Sequence, residues 1–206
     1  RFACFTFDDG YRDNRDHALL AMREHDAPFT VYAVSDFAEG NGKLWWIALE
    51  RAIARADSVD IVRDGAPVRF DTRNAILKQD AFDHIHDWLR TLPTDTDIHC
   101  EVSALCAKHG VDDAAIAGEL CMSYDELRDF AADPLVTIGA HTVSHCNLGR
   151  ESDSDARQQM SASRAHLESR LQRPVLHFAY PYGDRGAAAG REFALASDLG
   201  FKTAVT

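Results

Sequence analysis

Strand, helix and strand follow one another within residues 2–34, and that succession limits the fold more than any other feature of the chain. Phe2 to Phe7 is apolar on both faces, which suits a strand in a central position of a parallel sheet. Asn14 to about Asp26 reads as a helix with Ala18, Leu19 and Met22 on one side, and Pro28 blocks its continuation. Phe29 to Val34 is rich in the β-branched and aromatic residues that favour strands. Two strands joined by a crossover helix run parallel, with a right-handed connection.

The alternation is then interrupted from residue 39 to residue 121. Gly40-Asn41-Gly42 opens this stretch as a turn. Lys43 to Ala56 reads as a helix, with Trp46, Leu49 and Ile53 about one turn apart. Val59 to Phe70 contains Asp64-Gly65, a hairpin signal between short apolar runs. Arg73 to Leu92 reads as a helix stopped by Pro93, and Ile98, Val102 and Leu105 mark another, closed by Gly110. Asp112 to Cys121 suggests a fourth. The stretch 39–121 is therefore expected to be a mainly helical insertion in a single domain spanning 1–206.

The core pattern resumes at Ser123-Tyr124-Asp125-Glu126, which has capping-box spacing. Leu135 to Ala140, Val175 to Tyr180 and Phe201 to Val205 read as strands. Glu151 to Gln172 and Ala187 to Leu199 read as helices between them. Alternation of this kind makes the class α/β. The glycine-rich dinucleotide and phosphate fingerprints are missing, which favours a barrel over an open doubly wound sheet. Five core strands are too few to close one, so the expected fold is a distorted (β/α) TIM-like barrel, incomplete at its C-terminus.

Against 22 Lys and Arg stand 33 Asp and Glu, a net charge of −11. That balance argues against a nucleic-acid or anionic-membrane partner. No apolar run reaches membrane-spanning length. Cys4, Cys100, Cys106, Cys121 and Cys146 show no zinc-knuckle or redox spacing; mostly reduced, buried thiols are expected, which leans toward a reducing compartment. No signal peptide is present, and the chain opens inside a core strand, so a natural start further upstream is expected.

The polar chemistry gathers at the C-terminal ends of the strands, where α/β proteins build their sites. Phe5-Thr6-Phe7 ends in Asp8-Asp9-Gly10. More than a hundred residues later, His141-Thr142-Val143-Ser144-His145 puts two imidazoles four residues apart just past a strand. On a helical turn, or a loop that mimics one, both face the same way. Two histidines and a carboxylate make a common catalytic zinc arrangement, and Asp9 is the candidate third ligand. Asp8, beside the ion but not bound to it, then has the place of a general base for an attacking water.

Thr6-Phe7-Asp8-Asp9-Gly10, His141-Thr142-Val143-Ser144-His145 and Tyr180-Pro181-Tyr182-Gly183 together resemble, in order and spacing, the first three motifs of the polysaccharide deacetylases, the NodB-homology or carbohydrate esterase family 4 group. The resemblance implies a distorted barrel and one divalent metal ion, most often zinc. It implies removal of N- or O-acetyl groups from an acetylated carbohydrate such as an N-acetylglucosamine polymer. Carried over by motif, Asp8 is the catalytic base, and Asp9, His141 and His145 hold the metal. Tyr182 supplies a backbone N–H to the oxyanion. Tyr11, Tyr180 and Tyr182 are candidates for a stacking floor under sugar rings; Trp45 or Trp46 could join them, but packing of the insertion onto the core is the favoured reading for the tryptophans.

The chain departs from the family pattern twice. Where many members begin the third motif with an arginine that orients the base, this chain has Ala179, leaving Arg12 and Arg191 as candidates for that role. The late leucine–histidine motif that supplies the general acid has no counterpart before Thr206. Two other readings therefore stand beside deacetylation: a small-substrate C–N amide hydrolase on the same fold, and a catalytically inactive glycan-binding homologue.

Overall fold

The computed structural model describes residues 3–206. In chain order its elements are β1 (Phe5–Phe7), a π-helical turn (Asn14–Ala18) leading into α1 (Leu19–Glu24), β2 (Phe29–Ala33), α2 (Ser35–Ala38), α3 (Trp45–Ala54), β3 (Ser58–Arg63), β4 (Ala66–Asp71), α4 (Ala75–Leu89), α5 (Asp95–Lys108), α6 (Ile116–Leu120), α7 (Tyr124–Phe130), β5 (Val136–Ala140), α8 (Asp153–Leu171), β6 (His177–Ala179), α9 (Gly190–Asp198) and β7 (Thr203–Val205). The chain divides into two compact units. One comprises residues up to Gly42 together with Ala117 onward, and the other Lys43–Ile116.

The first unit holds a five-stranded sheet in the order β1-β2-β5-β6-β7, every neighbouring pair parallel. Side chains alternate across it as the pleat requires. Phe29, Val31 and Ala33 of β2, Val136, Ile138 and Ala140 of β5, and Phe178 followed by Tyr180 share one buried cluster with Leu19 of α1, Leu127 and Phe130 of α7, Met160 and Leu167 of α8, and Leu195 of α9. On the opposite face the ring of Tyr32 lies over its register partner Gly139, and a Cβ there would overlap that ring. Glycine at 139 is thus set by close approach rather than by a turn.

The expectation of a central first strand is corrected here. β1 pairs only with β2 among the described residues, lies at an edge of the sheet, and leaves Phe5 45% exposed. Phe2 falls outside the described residues. Strand order depends on long-range pairing, which an apolar run alone does not encode. Other boundaries shift. β6 and β7 are three residues each, shorter than their apolar runs. α9 starts at Gly190 rather than Ala187, because Asp184 Oδ1 accepts the N–H groups of Gly186 at 2.8 Å and Ala187 at 3.1 Å and holds the preceding residues in a turn.

In the second unit, β3 and β4 form an antiparallel hairpin whose turn, Asp64 and Gly65, has left-handed backbone at both positions (φ 52° and 78°), as a two-residue hairpin favours. α3, α4 and α5 bury Leu49, Ile53, Ile85, Leu89, Ile98 and Val102. The C-terminal end of α3 is capped by Lys78, whose ammonium donates to the carbonyls of Ile53, Ala54 and Ala56 at 2.7–3.0 Å. No helix among the described residues is long and apolar enough to cross a membrane.

Candidate metal centre

Asp9 follows β1, and the two histidines follow β5. These strands flank β2, so their C-terminal ends lie two strand positions apart. Leaving its strand, the first loop turns sharply: Asp9 and Gly10 both have left-handed backbone (φ 67° and 69°). Met122 N donates to Gly10 O at 2.9 Å, and Tyr11 bridges to Cys121. The residues ahead of α7 therefore hold this loop down.

The histidine pair stands on an irregular loop rather than a helical turn. Thr142 and His145 have φ of 65° and 59°, and Thr142 Oγ1 accepts the His145 N–H at 2.9 Å. His141 is buried, and its Nδ1 lies 2.8 Å from Ala179 O. A carbonyl only accepts, so Nδ1 donates to it, and Nε2 faces Asp9. The ring of His145 stacks on Phe37, with centroids 6.0 Å apart, and meets the ring of Tyr182 edge-on at 5.1 Å.

Asp9 Oδ1 lies 3.4 Å from His145 Nε2 and 3.7 Å from His141 Nε2, too far for good hydrogen bonds. One ligand atom from each of Asp9, His141 and His145 can be chosen so that all lie within 4.8 Å of one another, the one such group of metal-binding side chains among the described residues. Two ligands about 2.0–2.1 Å from a tetrahedral ion stand roughly 3.3 Å apart, so the spacing suits a small cation. Asp9 Oδ1 is buried and has no hydrogen-bond partner, an arrangement that is costly unless a cation completes it. Burial pushes the Asp9 carboxyl up to about 6; His141 and a hydrogen bond from Tyr11 pull it down, and Asp8 pushes it up. Burial first, and then His141, push His145 well below the usual imidazole range, so its imidazole is neutral at pH 7 and open to a metal. The donor set, one carboxylate oxygen and two imidazole nitrogens, fits a divalent ion of the first transition row.

The other residues singled out in the sequence are distributed as follows. Asp8 is exposed next to Asp9, and Tyr182 is half-buried against His145. Tyr11 is half-buried and bonded to Asp9. Tyr180 is not brought to the site. It follows Phe178 by two residues, points into the helical layer at 3% exposure, and donates its hydroxyl to Glu192 O at 3.3 Å, so its ring offers no floor to a sugar. Trp45 is likewise buried, stacked on His86 within its own unit. Arg12 spends its guanidinium on Glu126 and the carbonyls of Gly118 and Glu119. Arg191 spends its own on Glu192, Asp153 and the carbonyls of Leu148 and Glu151. Neither serves as the arginine expected beside Asp8. Cys106, Cys121 and Cys146 are buried, whereas Cys4 and Cys100 are exposed, and none of the five is in a disulfide.

Two contributors escaped the sequence reading. Ala179 acts through its main-chain carbonyl, for which no side chain signals. Gln159, whose side-chain oxygen lies against the histidine loop, sits in the polar run Arg157-Gln158-Gln159 and looks like solvated helix surface.

The family model for polysaccharide deacetylase matches residues 102–204, half of the chain. The chain belongs to the polysaccharide deacetylase family. No curated protein sequence matches it. Among solved structures it is similar to the Streptococcus pyogenes deacetylase PplD in complex with acetate, with a TM-score of 0.54, 14% identity, and coverage of 97% of this chain and 53% of that one. It is also similar to BC0361, a polysaccharide deacetylase from Bacillus cereus (TM-score 0.52, 13% identity, 98% and 39% covered), and to the BpsB deacetylase domain from Bordetella bronchiseptica (TM-score 0.52, 14% identity, 97% and 61% covered). At these identities the likeness is one of fold: an α/β arrangement with a parallel sheet curled into a half-barrel. The chain spans about half the length of the structures it matches.

Proposed function

We propose that this polysaccharide deacetylase domain is a metal-dependent hydrolase that removes N- or O-acetyl groups from a carbohydrate, with Asp9, His141 and His145 holding one zinc ion. The observation that carries the reading is the convergence of these three side chains around the buried, unpartnered Asp9 Oδ1. When bound, such an ion supplies Lewis acidity and an acidified water. Asp8, exposed beside Asp9, acts as the base that takes the proton from attacking water. Tyr182, whose left-handed backbone (φ 65°) turns the chain next to His145, offers its main-chain N–H to the developing oxyanion. Tyr11 and the Tyr182 ring line the approach for a sugar. We read residues 39–121 as an insertion in one NodB-like domain, a reading supported by the compactness of Lys43–Ile116.

The test is acetate release from acetylated chito-oligosaccharides by the full-length protein, before and after chelation. Release that stops on chelation and returns with zinc is expected; undiminished turnover by metal-free protein refutes the reading. One observation favours an inactive glycan-binding role instead: residue 179 is alanine, and Arg12 and Arg191 are engaged elsewhere. Carbohydrate binding without acetate release, with metal bound, would decide for that role.

A further inference from the structure

The loop between the two candidate ligand histidines makes no regular secondary structure, yet most of its main-chain polar groups have a fixed partner. Thr142 O accepts from Ser35 N at 3.3 Å and Val143 O from Asp36 N at 2.9 Å, both at the start of α2. The His145 N–H goes to Thr142 Oγ1. Two further N–H groups, of Val143 and Ser144, converge on a single atom, Gln159 Oε1, at 3.0 and 3.2 Å. Only the amide oxygen can accept, so the side chain's orientation is set by the bonds it makes.

Gln159 stands on α8, a nineteen-residue helix whose N-terminus is capped by Ser152. Ala156 and Met160 beside it are fully buried in the core. One turn on, Ser163 meets Ser35 Oγ at 3.2 Å, so the same face of α8 also braces the start of α2. The anchor is rigid, while the loop it holds carries two left-handed residues, one of them β-branched. Without the anchor, Val143 and Ser144 would lose their shared acceptor and the loop would be free to relax.

We propose that Gln159 is the positioning residue for the histidine pair: by accepting two successive main-chain N–H groups it sets the path from His141 to His145, and so the spacing of their imidazoles. The inference rests on the metal-centre reading above and adds to it a residue that touches neither ion nor substrate.

Zinc titration of the full-length protein, by calorimetry, tests it on three proteins: the parent, Gln159→Leu, which removes the acceptor, and Gln159→Glu, which keeps one. Gln159→Leu is expected to weaken zinc binding about 10–100-fold. Gln159→Glu is expected to restore it to near the parent value, a rescue that a space-filling role would not produce. A folded Gln159→Leu protein that binds zinc as tightly as the parent overturns the proposal. If that variant does not fold, amide exchange on the parent decides. Slow exchange at Val143 and Ser144 supports the anchor, and exchange of both at the unprotected rate overturns it. A parent that binds no zinc sinks the metal reading, and the exchange measurement still judges the Gln159 bonds on their own.

Discussion

Arg12 grips Glu126 with two parallel hydrogen bonds, Nε to Oε1 and Nη2 to Oε2, both 2.9 Å long, across 114 residues of sequence. The same carboxylate accepts from Arg15 Nη1 at 2.8 Å and from the Ser123 N–H at 2.8 Å. One side chain therefore closes the capping box of α7 and ties the residues after Asp8-Asp9 to it. These hydrogen bonds hold the Glu126 carboxyl well below the usual carboxylate range. Because the folded-state pKa is depressed, the stabilisation is fully present above the ordinary value and fades as pH falls below it. Glu126→Ala should cost about 1–3 kcal/mol at pH 7, the pair being partly exposed, and less at pH 3, where the unfolded carboxyl is already largely protonated. Urea melts of parent and variant at the two pH values check this; an equal loss at both would remove the ionic explanation.

His141→Ala should leave the protein folded but unable to retain stoichiometric zinc after gel filtration. The imidazole is held by Ala179 O on one nitrogen and turns the other toward the proposed ion, and alanine deletes both groups. Metal analysis of the purified variant reads the outcome directly, and an unchanged metal content would count against the site.

Asp8→Asn should keep the metal and lose the rate. Its carboxylate lies outside the cluster of Asp9, His141 and His145, so the amide disturbs proton transfer alone. A fall of about 10²–10⁴ in kcat is expected, the range for a general base. Loss of zinc with activity intact would reverse the assignment of the two carboxylates.

Asp9→Asn separates binding from folding. In metal-free protein the Asp9 carboxyl is raised by burial from 3.8 to about 6. Its folded-state pKa exceeds the unfolded one, so metal-free parent loses stability as pH rises from about 4 through 6. The asparagine variant escapes this and should be more stable than metal-free parent at pH 8 by on the order of 2–3 kcal/mol, with little difference near pH 3.5. With saturating zinc the order should invert, since only the parent gains binding energy. Thermal melts with and without chelator follow both signs.

What the sequence discloses about this fold is mostly local. The capping box at Ser123 and Glu126, the Asp64-Gly65 hairpin and the helix–strand alternation all depend on neighbours within a few residues, and the structure has them where they are read. The edge position of β1 and the Arg12–Glu126 tie depend on segments far apart, and no short window contains them. Tyr180 is an instructive miss. Its place two residues after Phe178 already assigns it to the buried face, and only its membership of a motif drew it toward the site. The convergence of Asp9, His141 and His145 was legible because few side-chain types can serve as metal ligands and the three stand at strand ends. Gln159 was not, because pinning a loop needs only one well-placed acceptor.

Ala179 holds His141 through its main-chain oxygen, a group that every amino acid possesses. The grip on the imidazole is therefore indifferent to which residue occupies position 179. The side chain at 179 can vary while this contact to the imidazole stays, so the placement of His141 and the chemistry of the residue-179 side chain are separable properties of one position.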